Sequence, residues 1–450
     1  MNNGNNITLK EKVINNYKEF ENSLNGMARD ENGKIEKIHS IRLDALKRFE
    51  ELGFPEKKLE DWKYTNIHPI IEKNYSQKAR DIAIKVAKKN ISDFLFPGLE
   101  TNLLVFINGI FSKKLSNIEN GNDVLFIGSL SGAYKIHKEL IDIHFSKYAR
   151  YENEGLTALN TAYAYDGAFV YLPKGKILEK PIHIIFISDS KTTDIMSHPR
   201  NLIIAGENSK ATVIESYHSF NHHFSFSNVV TEIVTEKESE IEHYKIQDES
   251  PKSYDINTTY VMQEKDSRFH SVTISWGGDI VRNNLNVILN GENSECLLYG
   301  LYAANESELI DNHTFVDHSV PNCRSNELYK GIMDDVSTGV FNGKIIVRVD
   351  AQKTNAYQSN KNLVLSEKAS INSKPQLEIF ADDVKCSHGA TTGQLDKDEI
   401  FYLMARGIGK QEAQRMLLIA FANDIIENIK IEAIRKKLYR LLVKKLSREK

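Results

Sequence analysis

ENSKATVIE, residues 207–215, is a turn followed by alternating apolar positions, and versions of it recur down the chain. KESEIEHY (237–244), KDSRFHSV (265–272), ENSECLLY (292–299), NESELIDN (305–312), DVSTGVFN (335–342) and EKASINSK (367–374) keep the layout of polar turn, small residue and alternation. Their serines stand at 209, 239, 267, 294, 307, 337 and 370, at spacings of 30, 28, 27, 13, 30 and 33. Turn-then-strand units at this scale suit coils of a β-solenoid, where each coil buries its inward face only by stacking on its neighbours. An antiparallel sandwich with similar turns is the competing arrangement, because the motif is degenerate and one step, 13, breaks the period.

Around these units, from about residue 100 to 385, stretches such as LLVFING, PIHIIFI, NLIIAG and GKIIVRV also read as strands. Residues 1 to about 95 carry helical spacing instead, with Ile41, Ala45, Leu46, Phe49 and Leu52 on one face before Gly53 and Pro55 break the pattern. Trp62 and Tyr64, just beyond, are expected to anchor this segment on the next domain. From about Leu395 two or three helices follow, separated by a Gly407/Gly409 break and ending in a basic run. The stretch Met416–Ala422 is apolar nearly all round, so it is either sandwiched within the domain or meets another protein.

Composition excludes several classes. With 58 basic and 61 acidic residues the net charge is -3, which favours neither nucleic acid nor an anionic membrane. The opening MNNGNNITLKEKV lacks the basic-then-apolar pattern of a secretory leader, and MLLIAFA (416–422) is too short to cross a bilayer. Cys296, Cys323 and Cys386 are dispersed and odd in number, so no disulfide framework is expected. A cytoplasmic protein with reduced thiols is the expectation.

Cys386 and His388, in DDVKCSHGATTGQLD (382–396), are two residues apart and would project to the same side of an extended strand. Thiolate and imidazole are ligands suited to iron–sulfur chemistry, zinc or copper, yet two ligands do not complete a site. A buried thiol beside an unliganded imidazole is the competing reading. Other chemistry is sparse: GVFNGK (339–344) is too short for a phosphate loop, and GIGK (407–410) lies between helices. The paired acids Asp334/Asp335 and Asp382/Asp383 would suit glycoside cleavage in a β-helix enzyme, but adjacent strand positions point to opposite faces.

Longer stretches carry a resemblance. WGGDIVRNNLNVILNGENSECLLYGLY (276–302), DNHTFVDHSVPNCRSNELYKGIMDD (311–335), GVFNGKIIVRVDAQKTNAYQSNKNLVLS (339–366), KPQLEIFADDVKCSHGATTGQLD (374–396) and EIFYLMARGI (399–408) resemble the core of the SufB/SufD family, scaffolds of the SUF iron–sulfur assembly system. GFPEKKLEDWKYTN (53–66) and KCSHGATTGQLD (385–396) are similar to its SufD branch. The resemblance implies a mainly β protein: a right-handed parallel β-helix, 96–388, between an N-terminal helical domain, 1–95, and a C-terminal one, 389–450. It implies a non-catalytic scaffold that pairs with SufB through the β-helices and docks the ATPase SufC on its C-terminal helices. Arg406, Met416, Leu417, Ala420 and Phe421 become candidates for that SufC contact or for the domain core. His388 would join a SufB cysteine in holding a transient iron–sulfur cluster, with Cys386 either a further ligand or core, and no cofactor held permanently. Neither nucleic acid nor membrane is an expected partner, and a homodimer is the form the isolated chain could take.

Overall fold

A computed structural model of the chain describes residues 7–24, 26–76, 91–119 and 125–446. Its centre is a β-solenoid of about 8 turns, built from two stacked sheets. In the first sheet the strands Asn102–Ile107, Ile182–Ser190, Lys210–Asn221, Glu240–Glu249, Arg268–Gly277, Glu295–Ala304, Arg324–Met333, Asn355–Val364 and Lys385–Gly393 lie parallel, side by side. The second runs from Arg200–Ala205 through Ser225–Thr235, Ser253–Gln263, Ile280–Leu289, Leu309–His318 and Thr338–Val347 to Ser370–Ile379, again parallel. From Arg200–Ala205 onward consecutive strands thus alternate between sheets, which a sandwich of antiparallel hairpins cannot do.

The step of 13 has a geometric cause. Asn208, Glu238, Asp266 and Asn293 have positive φ, and each is followed by a fully buried serine (Ser209, Ser239, Ser267, Ser294) that leads into a first-sheet strand. Asn322–Cys323 and Lys353–Thr354 continue this corner with other small residues, extending the spacings to 30, 28, 27, 29 and 31. Ser307, Ser337 and Ser370 instead precede or open second-sheet strands, at the opposite corner. The seven serines therefore belong to two interleaved series, one for each corner. The turns close by local bonds: Ser239 Oγ donates to the Glu236 carbonyl at 2.7 Å and Thr354 Oγ1 to the Ala351 carbonyl at 2.9 Å.

Helices cover the flanks. The capping box of Thr8 and Glu11 starts Leu9–Asn22, and Lys37–Leu52 ends at Gly53 with φ 68°. Lys37–Leu52 lies against Gly155–Tyr163, and here a Cβ on Gly155 would stand 1.9 Å from the Gly53 carbonyl oxygen, so only glycine allows the approach. Gly155–Tyr163, with the shorter helices Leu130–Ala133 and Lys138–His144, falls inside the stretch that reads as strands, because each is too brief to show a helical period. Trp62 is buried, as expected of an anchor, whereas Tyr64 is exposed.

The C-terminal helices Lys410–Ile426 and Glu432–Leu446 pack on the outer face of the first sheet, where Leu418, Ala422, Ile425, Leu438 and Leu442 meet Ile214, Tyr244, Ile274 and Ile332. Lys330, buried at its tip, donates to the Phe421 carbonyl at 3.0 Å and pairs with Asp424. Over its central strands both faces of this sheet are thereby covered, as a parallel sheet requires. Among the described residues no helix is long and apolar enough to cross a membrane.

Candidate functional site at the open end of the solenoid

Among the described residues, the C-terminal end of the solenoid is uncovered. Lys385–Gly393 is the last strand of the first sheet and Ser370–Ile379 the last of the second, and each has a neighbour on one side only. The preceding coil holds them by ladder bonds, while Lys397–Ala405, next in the chain, buries none of its residues and leaves Phe401 and Tyr402 in solvent. An exposed strand of this length is a template for pairing with another chain.

Cys386 and His388 lie on that last strand, aligned with Ala356 and Gln358 of the strand below. Alternation puts both on its inward side. Cys386 ends a column that descends through Ala356, Ser325, Cys296 and Phe269, and it packs half-buried on the core. Burial pushes its thiol up, against a backbone hydrogen bond from Ala356 that lowers it. His388 ends the neighbouring column, Gln358, Glu327 and Leu298, and is exposed. Both are inward-facing side chains with no coil above them. That makes them available to whatever completes the stack.

The described residues contain no group of three or more His, Cys, Asp and Glu able to hold a metal ion. Chemically, Cys386 and His388 can supply one soft and one borderline ligand, and a full coordination set needs donors from elsewhere. The paired acids lie apart from them: Asp334/Asp335 and Asp382/Asp383 occupy turns rather than facing each other across a cleft.

Beneath the site the solenoid interior is rich in polar side chains. Lys245 is buried and donates to Asn257 and Thr259, Gln247 bonds Asp255, and Asn283 bridges Gln247 and Asn312. Glu327, two strands below His388, is 1% exposed; burial drives its carboxyl up to about 7, while the side chains of Thr314 and Gln358 act to lower it. Glu327 and Gln358 carry no signal in the sequence, since a polar residue at every second strand position reads equally well as an outward face.

Of the C-terminal candidates, Arg406, Met416 and Ala420 are exposed, with the Arg406 guanidinium 4.7 Å from the Tyr402 ring centre. Leu417 is half-buried, and Phe421 is half-buried under the Lys330 ammonium, 4.3 Å from its ring centre. The stretch is therefore not sandwiched: one side meets the solenoid and the other faces solvent.

The family model described as the SUF system FeS cluster assembly SufBD core domain matches residues 186–421, and the SufBD protein N-terminal region matches 9–184. An iron–sulfur cluster assembly SufBD family protein of Synechocystis is 33% identical over 395 residues, 86% of either chain. The iron–sulfur cluster assembly protein SufD of Escherichia coli is 30% identical over 392 residues, 87% of this chain and 89% of its own. SufD of Bacillus subtilis is 28% identical over 427 residues, 91% and 94% of the two chains. With the two models together spanning most of residues 9–421, the chain belongs to the SufBD family of iron–sulfur cluster assembly proteins.

Proposed function

We propose that this chain is a non-catalytic scaffold subunit of a cytoplasmic SufB–SufC–SufD complex, taking the SufD place. Its open coil pairs with the β-helix of SufB, and His388 joins a SufB cysteine in holding the nascent cluster, which is cargo rather than a resident cofactor. Its C-terminal helices dock SufC, which supplies ATP hydrolysis. The observation that carries this reading is the position of Cys386 and His388: inward-facing ligand types on an uncapped edge strand, too few to close a site alone. An assembly site with few, mixed ligands drawn from two chains releases its product more readily than a four-thiolate cage.

The exposed flank formed by Arg406, Met416 and Ala420 supports the docking of a second protein there, and the lack of a phosphate loop in the chain agrees with nucleotide binding on that partner. Co-expression with SufB and SufC, followed by iron and sulfide analysis, tests the proposal. Co-purification of all three with a lower cluster yield for His388→Ala is the expected result. Failure to retain SufB or SufC, or full yield from the variant, would overturn it.

A further inference from the structure

The column beneath His388 holds a buried amide whose hydrogen-bonding capacity is not fully used within the fold. Gln358, directly below in register, is 3% exposed, and neither its amide oxygen nor its amide nitrogen closes a hydrogen bond of ordinary geometry. Opposite it stands Gly343, where a Cβ would lie 2.4 Å from Gln358 Nε2 and 2.7 Å from its Cδ. A side chain at 343 would collide with the amide, so the facing glycine leaves it room. Packing does not require it, because the same column accepts leucine at Leu298, two coils lower.

One strand below Gln358 lies Glu327, whose Oε2 accepts from Thr314 Oγ1 at 2.6 Å, while Oε1 closes no hydrogen bond of ordinary geometry and the Gln358 side chain acts to lower the carboxyl. A carboxyl or carboxylate oxygen so placed attracts the donor end of the neighbouring amide. The carbonyl end of Gln358 is then the group left to face the strand above, and that strand presents His388.

The geometry points to Gln358 as a positioning residue for His388: its amide carbonyl accepts the N–H of one ring nitrogen and so directs the other nitrogen to the open edge. Imidazoles that bind metals are commonly oriented this way, by an acceptor on the nitrogen away from the metal. Thr314, Glu327, Gln358 and His388 then form one chain of orientation running outward from the core. The inference rests on His388 being a cluster ligand, and it adds the reason one particular ring nitrogen is presented.

Nitrogen-15 NMR of the imidazoles in the full-length chain, at a pH where they are neutral, reads the tautomer of His388 directly, with His388→Ala giving the assignment. The wild type should favour one tautomer. Q358L should shift the tautomer ratio about fivefold toward that of free imidazole, the worth of one hydrogen bond. Q358E, which keeps an acceptor oxygen, should retain the wild-type ratio. An unchanged ratio in Q358L would overturn the inference. Should Q358L not fold, E327Q decides in its place: keeping shape but weakening the acceptor for the amide nitrogen, it should loosen the same preference, and an unchanged ratio there would count equally against it. In the SufB and SufC complex Q358L should also lower cluster yield severalfold. If His388→Ala gave full cluster yield, the ligand role would fall while the tautomer measurement still judged Gln358 by itself.

Discussion

The guanidinium of Arg282 lies 3.8 Å from the centre of the Trp62 ring, and through that contact the N-terminal segment is fastened to the solenoid wall. The same guanidinium donates to the Asp61 carbonyl and to Asp311 Oδ2, both at 2.7 Å, and Asp311 also receives Thr65 Oγ1 and His313. Burial would raise the Asp311 carboxyl, but the charges of His313 and Arg282 outweigh it and hold the group well below the usual carboxylate range. Further along, Lys374 of the final second-sheet strand pairs with Glu60. The EDWKYTN stretch is thus a clasp that reaches from the cap to the coil bearing the open edge.

Removing one half of this clasp should cost more than removing both. R282L leaves the Asp311 carboxylate buried with one of its two counter-charges gone, a loss of about 3–5 kcal/mol in urea unfolding. R282L/D311L removes the stranded charge as well and should recover part of that loss. W62L should be milder than R282L, since it removes a cation–π contact and packing but leaves the ion pair. A cost below about 1 kcal/mol for R282L would mean that the clasp contributes little.

Glu327 makes stability depend on pH in an identifiable window. Its folded pKa, about 7, lies above the ordinary carboxyl value of 4.5, so the folded state holds the proton that the unfolded state gives up. The wild type therefore loses stability as pH rises from 4.5 to about 7, with no further loss from this group above that range. E327Q should match the wild type near pH 4.5 and exceed it near pH 8 by up to about 3 kcal/mol, since each tenfold difference in proton affinity between the two states contributes about 1.4 kcal/mol. Urea titrations of both proteins at the two pH values supply the comparison, and a difference that does not change with pH would refute the assignment.

How much of the fold is legible in the chain depends on periods. Alternation and the recurrent turn-serine unit, from Ser209 to Ser294, carry the solenoid, because each coil repeats the same local problem of turning a corner with a left-handed residue and burying a small one. The two-residue spacing of Cys386 and His388 carries their common side for the same reason. The helix Gly155–Tyr163 is not legible, since nine residues with eight buried show no polar face to give a period. Nor are Glu327 and Gln358, whose importance depends on which strand lies above which, a relation between residues 31 apart.

The flank of the C-terminal helices separates two kinds of substitution. M416R and A420R place charge on side chains already in solvent, so the fold should keep its stability to within about 0.5 kcal/mol, while co-purification of SufC falls sharply if this flank is its docking surface. A422R, close by but fully buried against the solenoid, should instead destabilise the chain itself. Undiminished SufC binding by both M416R and A420R would move the docking surface elsewhere.

Cys386 and His388 should part company when stability and cluster formation are measured side by side. His388 is exposed, so His388→Ala should leave the unfolding midpoint of the isolated chain nearly unchanged. Cys386 packs half-buried on the core, so Cys386→Ala should cost about 1 kcal/mol through lost packing. In the complex the order should reverse: His388→Ala lowers cluster yield without lowering complex recovery, whereas Cys386→Ala does so only if the thiol is a ligand as well as a core group. Because burial pushes that thiol up, it is protonated in the isolated chain at neutral pH, and a ligand role would require the partner or the incoming metal to draw off its proton. Alkylation of Cys386 in the free chain, followed over pH, should therefore quicken only above the range of an ordinary thiol, and fast labelling at neutral pH would contradict the raised value.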